Sequence, residues 1–327
     1  MGSHTLLKLK DKPGVEVKAA YHKQPPHIFG TNIEYVQADL LNRDACPPLM
    51  EGIDYVLMFA GILSTAPVIA RDPIAPIMTN LLITSQSLEA AYYAGVNKFV
   101  WLSSTTGYPD TEGELVEEDM FQGDPPNVYY PVGWMTRYIE TLCRMYSEML
   151  SPKMTAIALR PTLIYGGFDD FEFESAHFLP AMIRRVVERQ NPIEVWGTGE
   201  QTRDLIYAGD VVDATFRAVD RIDRFEAFNI ASGISYSVNE TLQQIIEIDD
   251  FYDANIVHLT SKPTTVSTRS LVAKKAKDIL GFQASTSLAE GIRKTIGWYR
   301  EIGCKEVTST DEMATEAAET FDSNGSE

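Results

Sequence analysis

Between Glu194 and Ala214 the chain reads EVWGTGEQTRDLIYAGDVVDA, which places a Gly197-x-Gly199 turn, a single Arg203 and an acidic Asp210 on one strand-turn-helix unit. Arginine offers a planar fork of N–H donors that meets a phosphate at two points, and glycines allow the tight turn. The set reads as a site for a nucleotide sugar. Tyr129 and Tyr130 stand together before a helical pattern, with Arg137 the nearby cation. A tyrosine there can move a proton, but the two rings read equally well as packing aromatics at a helix entrance. His4, His22, His27, His177 and His258 show no i, i+4 pairing and no cysteine partners, so no metal is expected.

These residues need rigid elements to hold them. Val15–Tyr21 (VEVKAAY) alternates as a strand, and IEYVQADL, YVLMFAGIL and KFVWLSS follow as further short apolar strands. TNLLITSQSLEAAYYAG, Thr79 to Gly95, spaces Leu82, Leu88 and Ala91 as a helix that stops at a glycine. Alternation at this pace predicts βαβ units in a parallel, doubly wound sheet. After Arg160 the loops lengthen, as in GGFDDFEFESAHF, which predicts a smaller second lobe.

Composition narrows the function classes. With 327 residues, 44% hydrophobic and 23% charged, the chain has the length and balance of a globular α/β protein with a smaller appended lobe. No run approaches the ~18 apolar residues of a membrane span, and the start lacks the apolar region of a signal peptide. A cytoplasmic location is expected. The formal net charge of -18 argues against binding a nucleic-acid backbone. Cys46, Cys143 and Cys304 are odd in number and widely spaced, so they read as reduced and structural. Residues 305–327 carry seven acidic groups against Lys305 and read as a disordered acidic tail.

The segments SSTTGYP (Ser103–Pro109), LRPTLIYGG (Leu159–Gly167), AHFLPAMIRR (Ala176–Arg185) and FNIASG (Phe228–Gly233) occur in an order and spacing that resemble the extended short-chain dehydrogenase/reductases, specifically the GDP-fucose synthase-like branch. The likeness runs from Gly2 to about Tyr299. It implies a Rossmann-like doubly wound sheet with a dinucleotide-binding domain over 1–165 and an interleaved sugar-binding lobe over 166–304. It also implies a nucleotide-sugar epimerase, reductase or dehydratase activity with a nicotinamide dinucleotide, and a homodimer built on a helix bundle. Leu142, Met145, Tyr146 and Met149 are the expected dimer face.

Site residues follow from the same resemblance. Gly2 matches the last glycine of a G-x-x-G-x-x-G turn, whose first strand and first two glycines would precede Met1. Met-Gly-Ser-His reads alternatively as a scar left by cloning. A chain without that strand is expected to be less stable and to bind cofactor weakly. His22 and Lys23, after Tyr21, suit a ribose 2′-phosphate and favour NADP over NAD, although both also read as solvated loop residues. Asp39 matches an adenine contact, Ala60 and Gly61 the turn beneath the cofactor, and Asn80 the residue that ties this region together.

Ser104 matches the hydroxyl that fixes the sugar oxygen, and Thr106 replaces a cysteine that acts as a base. Aligned on Leu142-Cys143, the Tyr and Lys slots of the family's Tyr-x-x-x-Lys motif hold Val132 and Thr136. Shifted by two residues, Tyr130 supplies the acid and Trp134 fills the Lys slot. His177 matches a general acid, Arg185 and Arg203 match diphosphate ligands, and Trp196 stacks or packs beside them. The altered Tyr and Lys positions keep open a second reading, a protein that binds a nucleotide sugar or a partner without hydride chemistry.

Overall fold

A computed structural model describes residues 1–62, 72, 74–111, 113–173, 175–261 and 270–303. The acidic tail and Cys304 lie outside them. In chain order the strands are β1 (Val17–Tyr21), β2 (Ile33–Gln37), β3 (Tyr55–Met58), β4 (Lys98–Leu102), β5 (Glu114–Leu115), β6 (Thr155–Pro161), β7 (Leu163–Tyr165), β8 (Ile193–Trp196), β9 (Thr202–Tyr207), β10 (Glu226–Ile230), β11 (Ser235–Ser237), β12 (Ile256–Leu259) and β13 (Ser270–Leu271). The helices are α1 (Gly2–Leu9), α2 (Cys46–Met50), α3 (Ala75–Tyr93), α4 (Tyr130–Arg144), α5 (Phe178–Val187), α6 (Ala208–Arg221), α7 (Val238–Ile248) and α8 (Leu288–Trp298).

The central ladder runs β10-β6-β4-β3, all parallel. Successive side chains on a strand point to opposite faces, and the residue types obey this. Phe99, Trp101, Ala156 and Ala158 pack on the α3 and α4 side. Val100, Ile157 and Leu159 pack on the other, against Val211, Ala214 and Ala218 of α6. With helices on both faces, β4 and β6 are apolar over Phe99–Leu102 and Ala156–Leu159, and each reads there as a continuous hydrophobic run. β1 and β2 form their own parallel pair, and among the described residues no ladder joins β1 to β3. Lys18 of β1 instead ties that pair to α2 and its end, its Nζ donating to the carbonyls of Pro48 and Glu51, each at 3.3 Å.

A second core forms from Tyr165, Leu179, Ile183, Val195, Leu242, Ile245, Ile292 and Tyr299. Around it β7 pairs parallel with β9, β9 antiparallel with β11, and β8 parallel with β12. β13 reaches back to pair with β5 in the other half.

Two sequence expectations shift here. The helix expected from Thr79 begins at Ala75, because Pro76 fits the first turn, where its missing N–H costs nothing. The apolar face expected outward on α4 is partly inward: Leu142 and Tyr146 pack onto the sheet core. On α4 the exposed aromatics are Tyr130, Trp134 and Tyr138, and α3, which packs against α4, exposes Met78 and Leu82. Apolar spacing alone does not say which of two stripes a helix buries, and here packing against β4 and α3 selects the Leu142 side.

Candidate active site

β4 ends at Leu102 and the chain turns tightly over Ser103–Tyr108, at the carboxyl edge of the sheet where α/β folds gather ligands. The Ser104 hydroxyl oxygen accepts from the Thr106 amide at 3.2 Å and from Thr106 Oγ1 at 3.0 Å. Thr136 Oγ1 lies 3.4 Å from Thr106 Oγ1 and donates its own proton to the Val132 carbonyl at 2.9 Å. Each hydroxyl has one proton. With those of Thr136 and Thr106 committed, the Ser104 proton is the one left to donate to a ligand oxygen.

The helix that carries Thr136 comes very close. A Cβ on Gly133 would stand 2.6 Å from the Thr106 carbonyl oxygen and equally near Pro125, so only glycine admits this contact. Thr136 faces the turn, and Val132, one helical turn before it, is buried with it. Neither side chain titrates in the accessible range. Tyr130 and Trp134 lie on another side of α4, exposed by 44% and 43%, their rings edge to face at 6.4 Å. The structure therefore does not bring Tyr130 to Ser104. At about 100° per residue, positions 130 and 132 cannot share a face.

Arg137, the cation expected nearby, is 2% exposed and turned into the backbone. Its Nε donates to the Gly107 carbonyl at 2.8 Å and one terminal nitrogen to that of Gly123 at 2.7 Å, with the guanidinium 4.8 Å from the Trp134 ring. Burial lowers its pKa. It braces the turn from below.

Beneath the turn lies a polar network that reading the motifs did not single out. Arg160 of β6 grips Glu140 of α4 at two points, Nε to Oε1 at 2.9 Å and a terminal nitrogen to Oε2 at 2.6 Å. The other terminal nitrogen donates to the Tyr108 hydroxyl at 2.9 Å and to the Glu117 carbonyl at 2.8 Å. Tyr108 donates on to Asn229 Oδ1 at 2.5 Å, and Ser103 Oγ to Glu140 Oε1 at 2.6 Å. Glu140 and Arg160 are 1% and 2% exposed. Burial drives the Tyr108 phenol well above its usual range. Glu117, whose Oε1 accepts from the Asn229 amide at 2.8 Å, is likewise raised by burial. The signal was present in TAIALRP: an arginine inside a strand buried on both faces must find a charged partner.

On the cofactor side, Asn80 holds the turn at Gly61 and Ile62, accepting from the Ile62 amide at 2.7 Å and donating to its carbonyl at 2.9 Å. Ala60 and Gly61 are exposed beside it. His22 Nε2 stands 3.8 Å from Asp39 Oδ2 at the exposed ends of β1 and β2, and Lys23 follows, also exposed. Gly2 opens α1, where an added Cβ would meet nothing within 4 Å. The turn held by Asn80 and the exposed Asp39, His22 and Lys23 thus all lie at the ends of strands or on the turn after β3.

In the second lobe His177 precedes α5 with its Nδ1 buried and, among the described residues, without a hydrogen-bond partner, and burial lowers its pKa against the pull of Asp170. Arg185 donates to Gln190 Oε1 at 3.0 Å and lies 4.7 Å from the Phe173 ring, while buried Arg184 beside it pairs with Glu172 and Glu188. Arg203 projects from β9, donates to the Thr202 carbonyl at 2.6 Å, and has Tyr129 as an electrostatic neighbour. Trp196 is 43% exposed at the end of β8. Asp210 does not join them. Its carboxylate takes the amides of Ser285 and Thr286, at 3.2 and 3.1 Å, and so anchors the segment before α8.

Known proteins place this arrangement. The chain is 29% identical over 229 residues to a putative GDP-L-fucose synthase 2 of Arabidopsis thaliana, covering 68% of each chain. It is 27% identical over 321 residues to a GDP-mannose 3,5-epimerase 1 of Oryza sativa subsp. japonica, covering 96% of this chain and 82% of that one. Among solved structures, the UDP-glucose 4-epimerase of Thermotoga maritima superposes with a TM-score of 0.80 at 23% identity, over 92% of this chain and 95% of that one. The model of the NAD dependent epimerase/dehydratase family matches residues 1–231. With that match over most of its length and a parallel sheet ending in the Ser104 turn, the chain belongs to the NAD dependent epimerase/dehydratase family.

Proposed function

We propose that this protein binds a nucleotide-diphosphate sugar together with NADP(H) and works as a nucleotide-sugar epimerase/reductase of the GDP-fucose synthase type. The observation that carries the reading is Ser104: a hydroxyl just past the carboxyl end of β4 that accepts from the Thr106 amide and hydroxyl, which leaves its own proton available for a ligand oxygen. Bound NADP(H) would supply the hydride chemistry. Ser104 would hold the sugar oxygen, His177 would present a neutral imidazole, and Arg185 and Arg203 would take the diphosphate. Exposed His22 and Lys23 support the 2′-phosphate form of the cofactor over NAD. The dinucleotide-binding part takes in residues 1–165, with the sugar lobe over 166–304. The exposed aromatics Tyr130, Trp134 and Tyr138 of α4, with Met78 and Leu82 exposed on α3, support a homodimer through α3 and α4. Among the described residues no helix is long and apolar enough to cross a membrane, and with the composition this supports a cytoplasmic protein.

A second reading has its own support. Val132 and Thr136 stand where the Tyr and Lys of the resemblance would, so the face of α4 that meets the turn offers its hydroxyls neither a phenol nor an ammonium. Binding of nucleotide sugar without turnover is the outcome this favours. The two are separated by following NADPH oxidation at 340 nm with a panel of GDP- and UDP-4-keto sugars, beside calorimetric binding of the parent sugars. Turnover supports the enzyme, binding without turnover the silent binder, and neither overturns both.

A further inference from the structure

The turn that presents Ser104 is tethered from below at three points by groups that are themselves buried. At its start the Ser103 hydroxyl donates to Glu140 Oε1 at 2.6 Å and the Ser103 amide to the Leu159 carbonyl at 2.8 Å. Near its end the Gly107 carbonyl accepts from Arg137 Nε at 2.8 Å. At its close the Tyr108 hydroxyl stands between Arg160, at 2.9 Å, and Asn229, at 2.5 Å. Glu140 and Arg160 hold each other bidentately, so the first and third tethers share one rigid ion pair. That pair spans α4 and β6, the elements that flank the turn.

For the packing of a core this arrangement is expensive, since two charges taken from water are seldom better than apolar residues of the same volume. What it supplies is position. A short turn of small polar residues has little side-chain bulk to fix it, and the Ser104 hydroxyl is held by hydrogen bonds from Thr106, a residue of the same turn. We infer that the Glu140–Arg160 pair, acting through Ser103 and Tyr108, positions the Ser104 hydroxyl for the oxygen of the bound nucleotide sugar. This rests on the reading of the site as a nucleotide-sugar site. Ser103, Tyr108, Glu140 and Arg160 are positioning residues, and Ser104 alone of the five meets the ligand.

The test is a double-mutant cycle in affinity. The affinities of GDP-mannose and UDP-glucose are measured by calorimetry with NADP⁺ present, for the parent, Ser103→Ala/Tyr108→Phe, Ser104→Ala, and the triple variant. The paired change removes two hydroxyls but leaves the ion pair and the aromatic ring in place, so folding is kept, and a thermal melt fixes a temperature at which every variant is folded. Groups acting through one another are non-additive where independent sites add. The paired change is expected to weaken binding roughly ten-fold with Ser104 present, and less than about two-fold with Ser104→Ala. An equal loss in both backgrounds, or no loss in either, overturns the assignment even if the melt is lowered, since that is what a purely structural role gives. A parent that binds neither nucleotide sugar overturns the functional reading itself, and the positioning role with it.

Discussion

The Ser103–Tyr108 turn and the face of α4 packed against it meet within van der Waals distance, yet they are furnished in different ways. The turn carries a hydroxyl that accepts twice from Thr106 and keeps its own proton to give, and a buried ion pair, a phenol and a second arginine fix the turn from beneath. The helix face carries Val132, Gly133 and Thr136, with no group that titrates near neutral pH and a backbone pressed close by the glycine. Placing a sugar oxygen and moving a proton are thus separable tasks in this fold. The first depends on a network spread over α4, β4, β6 and β10. The second depends on two side chains on one helix turn.

The largest effect that would sharpen this contrast is a gain. Val132→Tyr with Thr136→Lys puts a phenol and an ammonium on the face that meets Ser104, and general acid–base assistance contributes about 10²- to 10⁴-fold. NADPH oxidation with a GDP-4-keto sugar is expected to rise within that range over the parent. No gain in a folded double variant would break the separation. Next in size is Glu140→Leu, which leaves buried Arg160 without the carboxylate that grips it at two points. A loss of about 3–5 kcal/mol is expected, read as a fall in denaturation midpoint; a change under about 1 kcal/mol would mean that Arg160 rehydrates and the pair is not a fixed strut. Smaller again is Gly133→Ala, where the new methyl meets the Thr106 carbonyl and Pro125. Overpacking of this kind costs about 1–3 kcal/mol, and sugar binding should weaken with it as the turn is pushed away.

The smallest is a pH effect outside both surfaces. His4, edge-on to Phe168 and Tyr207, has its pKa held down to about 4 by burial, against the opposing hydrogen bond to the Gly167 carbonyl. The unfolded chain, with its histidine near 6.5, binds more protons between those values, so this group's contribution to stability falls as pH drops from about 6.5 towards 4. His4→Phe should therefore gain on the parent in stability at pH 5 relative to pH 7.5. An unchanged difference at the two pH values would contradict a buried neutral imidazole.

The parallel sheet was legible because short apolar strands such as KFVWLSS alternate with helical patterns, and the helix that ends near Gly95 because Leu82, Leu88 and Ala91 recur at helical spacing. The site divides differently. Ser104 and Thr106 were legible from SSTTGYP, and Thr136 lies where the alignment on Leu142-Cys143 put the Lys slot. Tyr130 was misplaced by a shift of two residues, which turns a helical side chain by about 200° and moves it to another face. Arg137 looked like a free cation because sequence does not tell whether an arginine reaches a ligand or the carbonyls of its own loop. The Glu140–Arg160–Tyr108–Asn229 network joins residues far apart in the chain, and only the folding of four elements together brings them into contact. Asp210 is the reverse case: a charge in a promising motif that proves to anchor Ser285 and Thr286.

The most direct test of the central claim is a crystal structure of the protein with NADP⁺ and GDP-mannose, read at Ser104. The account predicts the Ser104 oxygen at about 2.7 Å from a sugar oxygen, with the turn unmoved and the diphosphate near Arg203. A sugar bound elsewhere, or a Ser104 hydroxyl that donates within its own loop with the ligand in place, would contradict it.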